Sequence, residues 1–107
     1  MPHYMVQAAY TPDAWGGLVK SPQDRAEALR PAIERLGGKL VSFYMSFGEY
    51  DALVIAEMPD NVSAAGVSIA AAAGGAVKAI KTTPLMTVQE SMEAMRKAGQ
   101  AGYRPPS

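Results

Sequence analysis

Few residues in this chain can move a proton near neutral pH. His3 is the only histidine and the only side chain whose ordinary pKa lies close to neutrality. Glu57 ends an apolar run, and a sheet that sets this run beside the first strand makes Glu57 the orienting partner of His3 as a general base. The plainer alternative is a solvent-facing histidine at the rim of the sheet. Asp51 is the second catalytic candidate. Burial would raise its pKa and suit it to proton transfer, whereas the structural alternative is a cap that accepts backbone N–H bonds at a turn. Gln7, Tyr44 and Ser46, beside Leu53 and Ile55, have the makeup of a small-molecule pocket: mostly apolar, with a few converging polar groups. Tyr50, next to Asp51, joins them as a ligand-binding candidate. Trp15 stands between helix-breaking residues, placed to fold over such a pocket as a lid or to pack as a satellite of the core.

Other chemistries are excluded or poorly served. With no cysteine the chain has no disulfide, thiolate metal site or cysteine nucleophile. One histidine gives little support to a metal site with several ligands, so no metal is expected. The Ala70–Ala73 run before Gly74-Gly75 lacks the spacing of a phosphate-binding loop, and no cofactor is expected. Seven methionines spread along the chain suit core filling. Ten basic residues balance ten acidic ones at a pI of 6.6, which provides no basic face for nucleic acid. No run of about 18 apolar residues would cross a membrane, and MPHYMVQ lacks the pattern of a signal peptide. A cytoplasmic location is the expectation.

These residues need a scaffold, and 107 residues with a mass of 11.3 kDa suffice for one small domain, here 1–98, with 99–107 as a flexible or partner-docked tail. Residues 3–10 form a strand that ends at Thr11-Pro12. Pro12, Gly16 and Gly17 argue for an irregular segment with one turn of helix at most. Ser21-Pro22 has the form of a helix cap with proline at the first position; Ala26, Leu29, Ile33 and Leu36 then make an apolar stripe. Pro31 should kink this helix, and Gly37-Gly38 ends it. Runs 39–47 and 51–58 form a hairpin around Gly48-Glu49. Asp60 caps a helix over 61–73 with Val62, Ala65, Ile69 and Ala72 or Ala73 facing inward. A fourth strand over 76–83 stops before Pro84. Thr87 and Glu90 form a capping box for a last helix over 88–98, striped by Val88, Met92 and Met95. The order βαββαβ plus a C-terminal helix predicts an α+β, ferredoxin-like antiparallel sheet of order 4-1-3-2 with both long helices on one face.

Strand parity then sorts the side chains. A two-residue turn pairs Phe47 with Tyr50, Met45 with Ala52, Phe43 with Val54 and Val41 with Ala56, an apolar face that belongs under the helices. The opposite face carries His3, Met5, Gln7 and Ala9; Leu40, Ser42, Tyr44 and Ser46; Asp51, Leu53, Ile55 and Glu57. It is too apolar to face water alone. A symmetric homodimer or higher homo-oligomer, sheet against sheet, would cover it. Three functions fit: a homo-oligomeric binder of a small molecule, a cofactor-free enzyme working by proton transfer on a small organic acid or aromatic compound, or a structural or regulatory subunit with no cavity.

Phe47-Gly48-Glu49-Tyr50-Asp51 followed by an apolar strand resembles the GYD domain family. Supporting segments are Tyr10-Thr11, Lys20-Ser21-Pro22 with Arg25 and Ala26, and Leu36-Gly37-Gly38-Lys39 leading into Phe43-Tyr44. The order and spacing of these short motifs make the match, over about residues 3 to 90. Pro31 and the alanine-rich Ala70–Gly75 stretch depart from it. The resemblance implies assembly as a dimeric α+β barrel and no settled activity.

Overall fold

The computed structural model describes residues 1–106. In chain order the elements are β1 (His3–Tyr10), α1 (Pro12–Lys20), α2 (Arg25–Arg35), β2 (Lys39–Met45), β3 (Ala52–Glu57), α3 (Asn61–Ala73), β4 (Val77–Leu85) and α4 (Val88–Gln100). The strands form one antiparallel sheet in the order β2-β3-β1-β4, the arrangement expected. Tyr4, Val6, Val54 and Ala56 from the sheet meet Ile33 of α2 and Ala64 and Val67 of α3 in a single core. This places α2 and α3 on the same face.

Several local expectations are corrected. Residues 12–20 are a full helix, because the Thr11 hydroxyl accepts the Ala14 N–H at 3.1 Å and Pro12 occupies the first position. The exposed Gly16 and Gly17 are carried within it. Ser21 closes α1 through its N–H to the Gly17 carbonyl at 2.9 Å and does not open α2. The Asp24 carboxylate takes that part, accepting the N–H groups of Ala26 and Glu27 at 2.9 and 3.3 Å. β4 runs on through Pro84, which is tolerated because β4 is an edge strand and proline's missing donor leaves no neighbour unpaired.

The expected two-residue turn is a longer loop. The Ser46 N–H donates to the Asp51 carbonyl at 2.7 Å, and Phe47, expected under the helices, is 99% exposed. Met45↔Ala52 and Phe43↔Val54 pair as expected, but a bulge between Leu40 and Ser42 shifts the register so that Leu40 pairs with Ala56. One inserted residue reverses the facing of everything beyond it. Leu40 therefore enters the core and Val41 is exposed, the opposite of the parity expectation.

α3 is also turned relative to expectation. Its buried residues are Ala64 and Val67, while Val62, Ala65 and Ile69 are exposed. Two polar pins fix this rotation. The Tyr4 hydroxyl donates to Asn61 Oδ1 at 2.5 Å, and the hydroxyls of Ser68 and Thr82 lie 2.5 Å apart.

α4 keeps its expected capping box but extends beyond 98 to Gln100. The tail expected from residue 99 thus begins as helix, and its last residue, Ser107, lies outside the described residues. No side chain of α4 is buried. The radius of gyration is 17.0 Å, against about 13 Å for a compact chain of this length.

Candidate functional site

The antiparallel registers place the polar candidates in rows across the face opposite α2 and α3. Tyr44, Leu53, Gln7 and Lys81 form one row; Ser42, Ile55, Met5 and Thr83 form the next; Lys39, Glu57, His3 and Leu85 form the last. Alternate residues of a strand share a face, so these side chains look the same way. Gln7 lies four steps along the strand from His3, which puts about 13 Å between the outer rows. The face therefore has two polar ends with an apolar middle of Met5 and Ile55. Tyr44 is 66% exposed.

At the His3 end, the imidazole Nε2 lies 3.5 Å from Glu57 Oε1, with both side chains partly open to water. That juxtaposition follows from the register His3↔Glu57. An open cleft of about 560 Å³ adjoins His3 between the N-terminus and the root of α4, lined by Met1, Pro2, Leu85, Met86, Thr87 and Glu90. The Glu90 carboxyl is held below its ordinary pKa chiefly by the Thr87 N–H it accepts, with His3 a minor contributor. Leu85 and Glu90 escaped the sequence reasoning because the β1–β4 register was not worked out there; it follows once His3 is set opposite Leu85. Lys81 and Thr83 come onto the face by the same register.

The other candidates divide among different places. The Asp51 carboxylate accepts the Tyr10 N–H at 2.9 Å, a structural use of the cap type, although the donor belongs to β1 and not to the hairpin. Ser46 donates through Oγ to the Tyr50 carbonyl at 2.8 Å, so it braces the loop around Tyr50. Trp15 does not lie over Tyr44 and Gln7 as a lid. Its ring meets Tyr10 edge-on at 5.4 Å, and it lines a separate groove of about 450 Å³ with Leu18, Pro22, Arg25, Phe43 and Met45. Phe43 and Met45 alternate with Tyr44 along β2, so this groove opens on the helix-bearing side. Among the described residues, no group of three or more acidic or imidazole side chains is placed to hold a metal ion, and no helix is long and apolar enough to cross a membrane.

No curated protein matches the sequence at a significant level. Among solved structures the fold is similar to MtbAldR, at 15% identity and a TM-score of 0.57 over 80% of this chain. This chain spans about half of that one, 53% of its length. It is also similar to TTHA0845 from Thermus thermophilus, at 19% identity and a TM-score of 0.54, with 82% of this chain and 96% of that one covered. Identities this low establish the shared α+β architecture alone. The family model of the GYD domain matches residues 4–95, which takes in the sheet apart from His3, α1 to α3 and part of α4, and on that match the chain belongs to the GYD domain family.

Proposed function

We propose that this protein is a small-molecule-binding module that works as a homodimer, with its ligand held on the open sheet face beneath a second copy. The observation that carries this reading is the composition of a face that, among the described residues, lies opposite the core helices α2 and α3. Met5, Leu53 and Ile55 lie there beside Gln7, Tyr44, Thr83 and Lys81. An apolar patch edged by a few polar groups is the usual makeup of a ligand surface. The spacing favours a flat organic anion: an apolar body over Met5 and Ile55, with its charge at Lys81 and a hydrogen bond from Tyr44 or Gln7.

The aromatic anion 8-anilinonaphthalene-1-sulfonate is a suitable probe, since its fluorescence rises when it leaves water. Saturable binding to the native protein is expected, weakened about tenfold by either Tyr44→Ala or Lys81→Gln, the equivalent of one lost polar contact. Binding that is absent, or indifferent to both substitutions, overturns the reading.

The His3–Glu57 pair favours a second reading, in which His3 abstracts a proton from a bound organic acid while Glu57 orients the ring. A turnover whose pH–rate profile loses its acidic limb in His3→Ala would support it. Turnover unchanged in that variant would remove it.

A further inference from the structure

α4, 13 residues long, has no buried side chain. Its apolar positions Val88, Met92 and Met95 recur at helical spacing, with Ala98 continuing the stripe, while Glu90, Glu93, Arg96 and Lys97 occupy the other side. Val88 is 75% and Met95 66% exposed. An isolated helix of 13 residues is marginal in water, and most helices are held by packing of the apolar face. Here the start of the helix is firmly made, since the capping box leaves only Met86 and Thr87 between β4 and α4. What is missing is a surface for the stripe.

We propose that α4 is an arm that grips a second copy of this chain, the same copy that covers the open sheet face in the proposed function, on which this inference rests. Area supports this occupant. The chain exposes 7430 Å², whereas a compact chain of this mass exposes roughly 5,700 Å². The excess, about 1,700 Å² per chain and twice that for a pair, falls in the range that obligate homodimers bury. Position supports it too. α4 leaves the sheet just after Leu85, which lies beside His3 at the end of the open face. A helix of this length reaches about 20 Å, enough to run along a body laid on that face. The apolar row Met5–Ile55 and the Val88–Met92–Met95 stripe then become one continuous interface, and the cleft beside His3 acquires a wall from the partner.

The test uses the whole 107-residue chain, because Val88, Met92 and Met95 are exposed and Ile55 lies outside the core cluster. Molar mass and dissociation constant are measured by light scattering and sedimentation for the native chain, for the triple variant Val88→Ser, Met92→Gln, Met95→Gln, and for Ile55→Lys. The emission spectrum of Trp15, whose ring packs edge-on against Tyr10, serves as the check on folding. The expected result is a native dimer whose self-affinity falls about a hundredfold in the triple variant, as when a central apolar anchor is removed, and falls also in Ile55→Lys. A native dimer that Ile55→Lys weakens and the triple variant does not would overturn the arm while leaving the sheet-face dimer standing. Weakening by the triple variant alone would overturn the placement of the arm's partner on the sheet. A native chain that stays monomeric at 100 µM would overturn both.

Discussion

The Asp51 carboxylate and the Tyr10 backbone N–H lie 2.9 Å apart, and through this bond the β2–β3 loop is fastened to the far end of β1. A second bond runs beside it, from the Asp51 N–H to the Ala8 carbonyl at 2.8 Å. Asp51 thus serves as a staple between strands that are distant in sequence. Asp51→Ala removes the acceptor and leaves the partly buried Tyr10 N–H unpaired, at a cost of about 1–2 kcal/mol. Asp51→Asn keeps an acceptor oxygen and should lose less than half of that. Urea unfolding of the two variants measures the difference. Equal losses would show that the charge, not the hydrogen bond, is what matters at this position.

Gly37 and Gly38 have separate jobs. Gly37 has φ of +86° and turns the chain out of α2, a conformation that strains any residue with a Cβ. Gly38 has an ordinary backbone, but a Cβ there would collide with the Glu57 carbonyl and the Met58 sulfur, and would come within 3.1 Å of Ile33. Met58 and Ile33 are the most deeply buried large side chains, so neither has room to retreat. Gly38→Ala is therefore expected to destabilise by about 2 kcal/mol or more through overpacking. Loss of soluble protein or a fall in Tm of several degrees would register it, and a Tm within 1 °C of native, smaller than any such loss would give, would contradict the packing described.

How much of this was legible in the sequence depended on whether a pattern had one solution. β3 and the first part of β1 alternate cleanly, so their pairing and the His3–Glu57 juxtaposition followed from sequence; Ala9, expected on the open face, is buried where the register slips between Ala9 and Tyr10. In Lys39-Leu40-Val41-Ser42 either Leu40 or Val41 could face the core, and nothing local marks the bulge that chose Leu40. α3 is apolar on nearly every side, so its stripe had no unique phase. Its rotation is set by Asn61 and Ser68, which meet Tyr4 and Thr82 across long sequence separations. The helix that carries Trp15 was hidden for a related reason: two glycines in an exposed helix looked like breakers, while the Thr11 cap and the Tyr10 ring that hold the helix are contributed from outside it. The candidate site was legible in the rows that β1, β2 and β3 supply, and incomplete where the register of β4 was needed.

The rotation of α3 makes a direct comparison possible. Val67 is buried against the core and Ile69, two residues on, is 67% exposed. Val67→Ala should cost about 1–2 kcal/mol through lost burial and a small cavity. Ile69→Ala should stay within about 0.5 kcal/mol, as exposed substitutions do, or be slightly favourable since alanine is the better helix former. Thermal and urea denaturation of both variants at low protein concentration, where self-association adds little, decides the matter. The reverse order of losses would mean that the helix is turned by about half a revolution from the orientation described.

The capping box of α4 gives the arm a defined acid sensitivity. Glu90 accepts the Thr87 N–H at 2.9 Å, and that bond holds its carboxyl below the ordinary value of 4.5. A carboxyl whose pKa is depressed by folding contributes fully above its unfolded value, and the contribution drains away as pH falls through the lower folded value. The first turn of α4 is thus complete at neutral pH and loosens in acid below about pH 4.5. The Thr87 amide proton, followed by NMR, should shift with a midpoint under that value, and Glu90→Gln, which keeps an acceptor but cannot ionise, should abolish the shift while retaining the helix. Asp60 titrates in the same direction at the start of α3, held down chiefly by the Ser63 N–H, so the readout must be the Thr87 resonance and not total helical signal. A Thr87 midpoint above 4.5 would mean that the bond favours the protonated carboxyl, and would leave the start of α4 without the anchor that its reach toward a second copy requires.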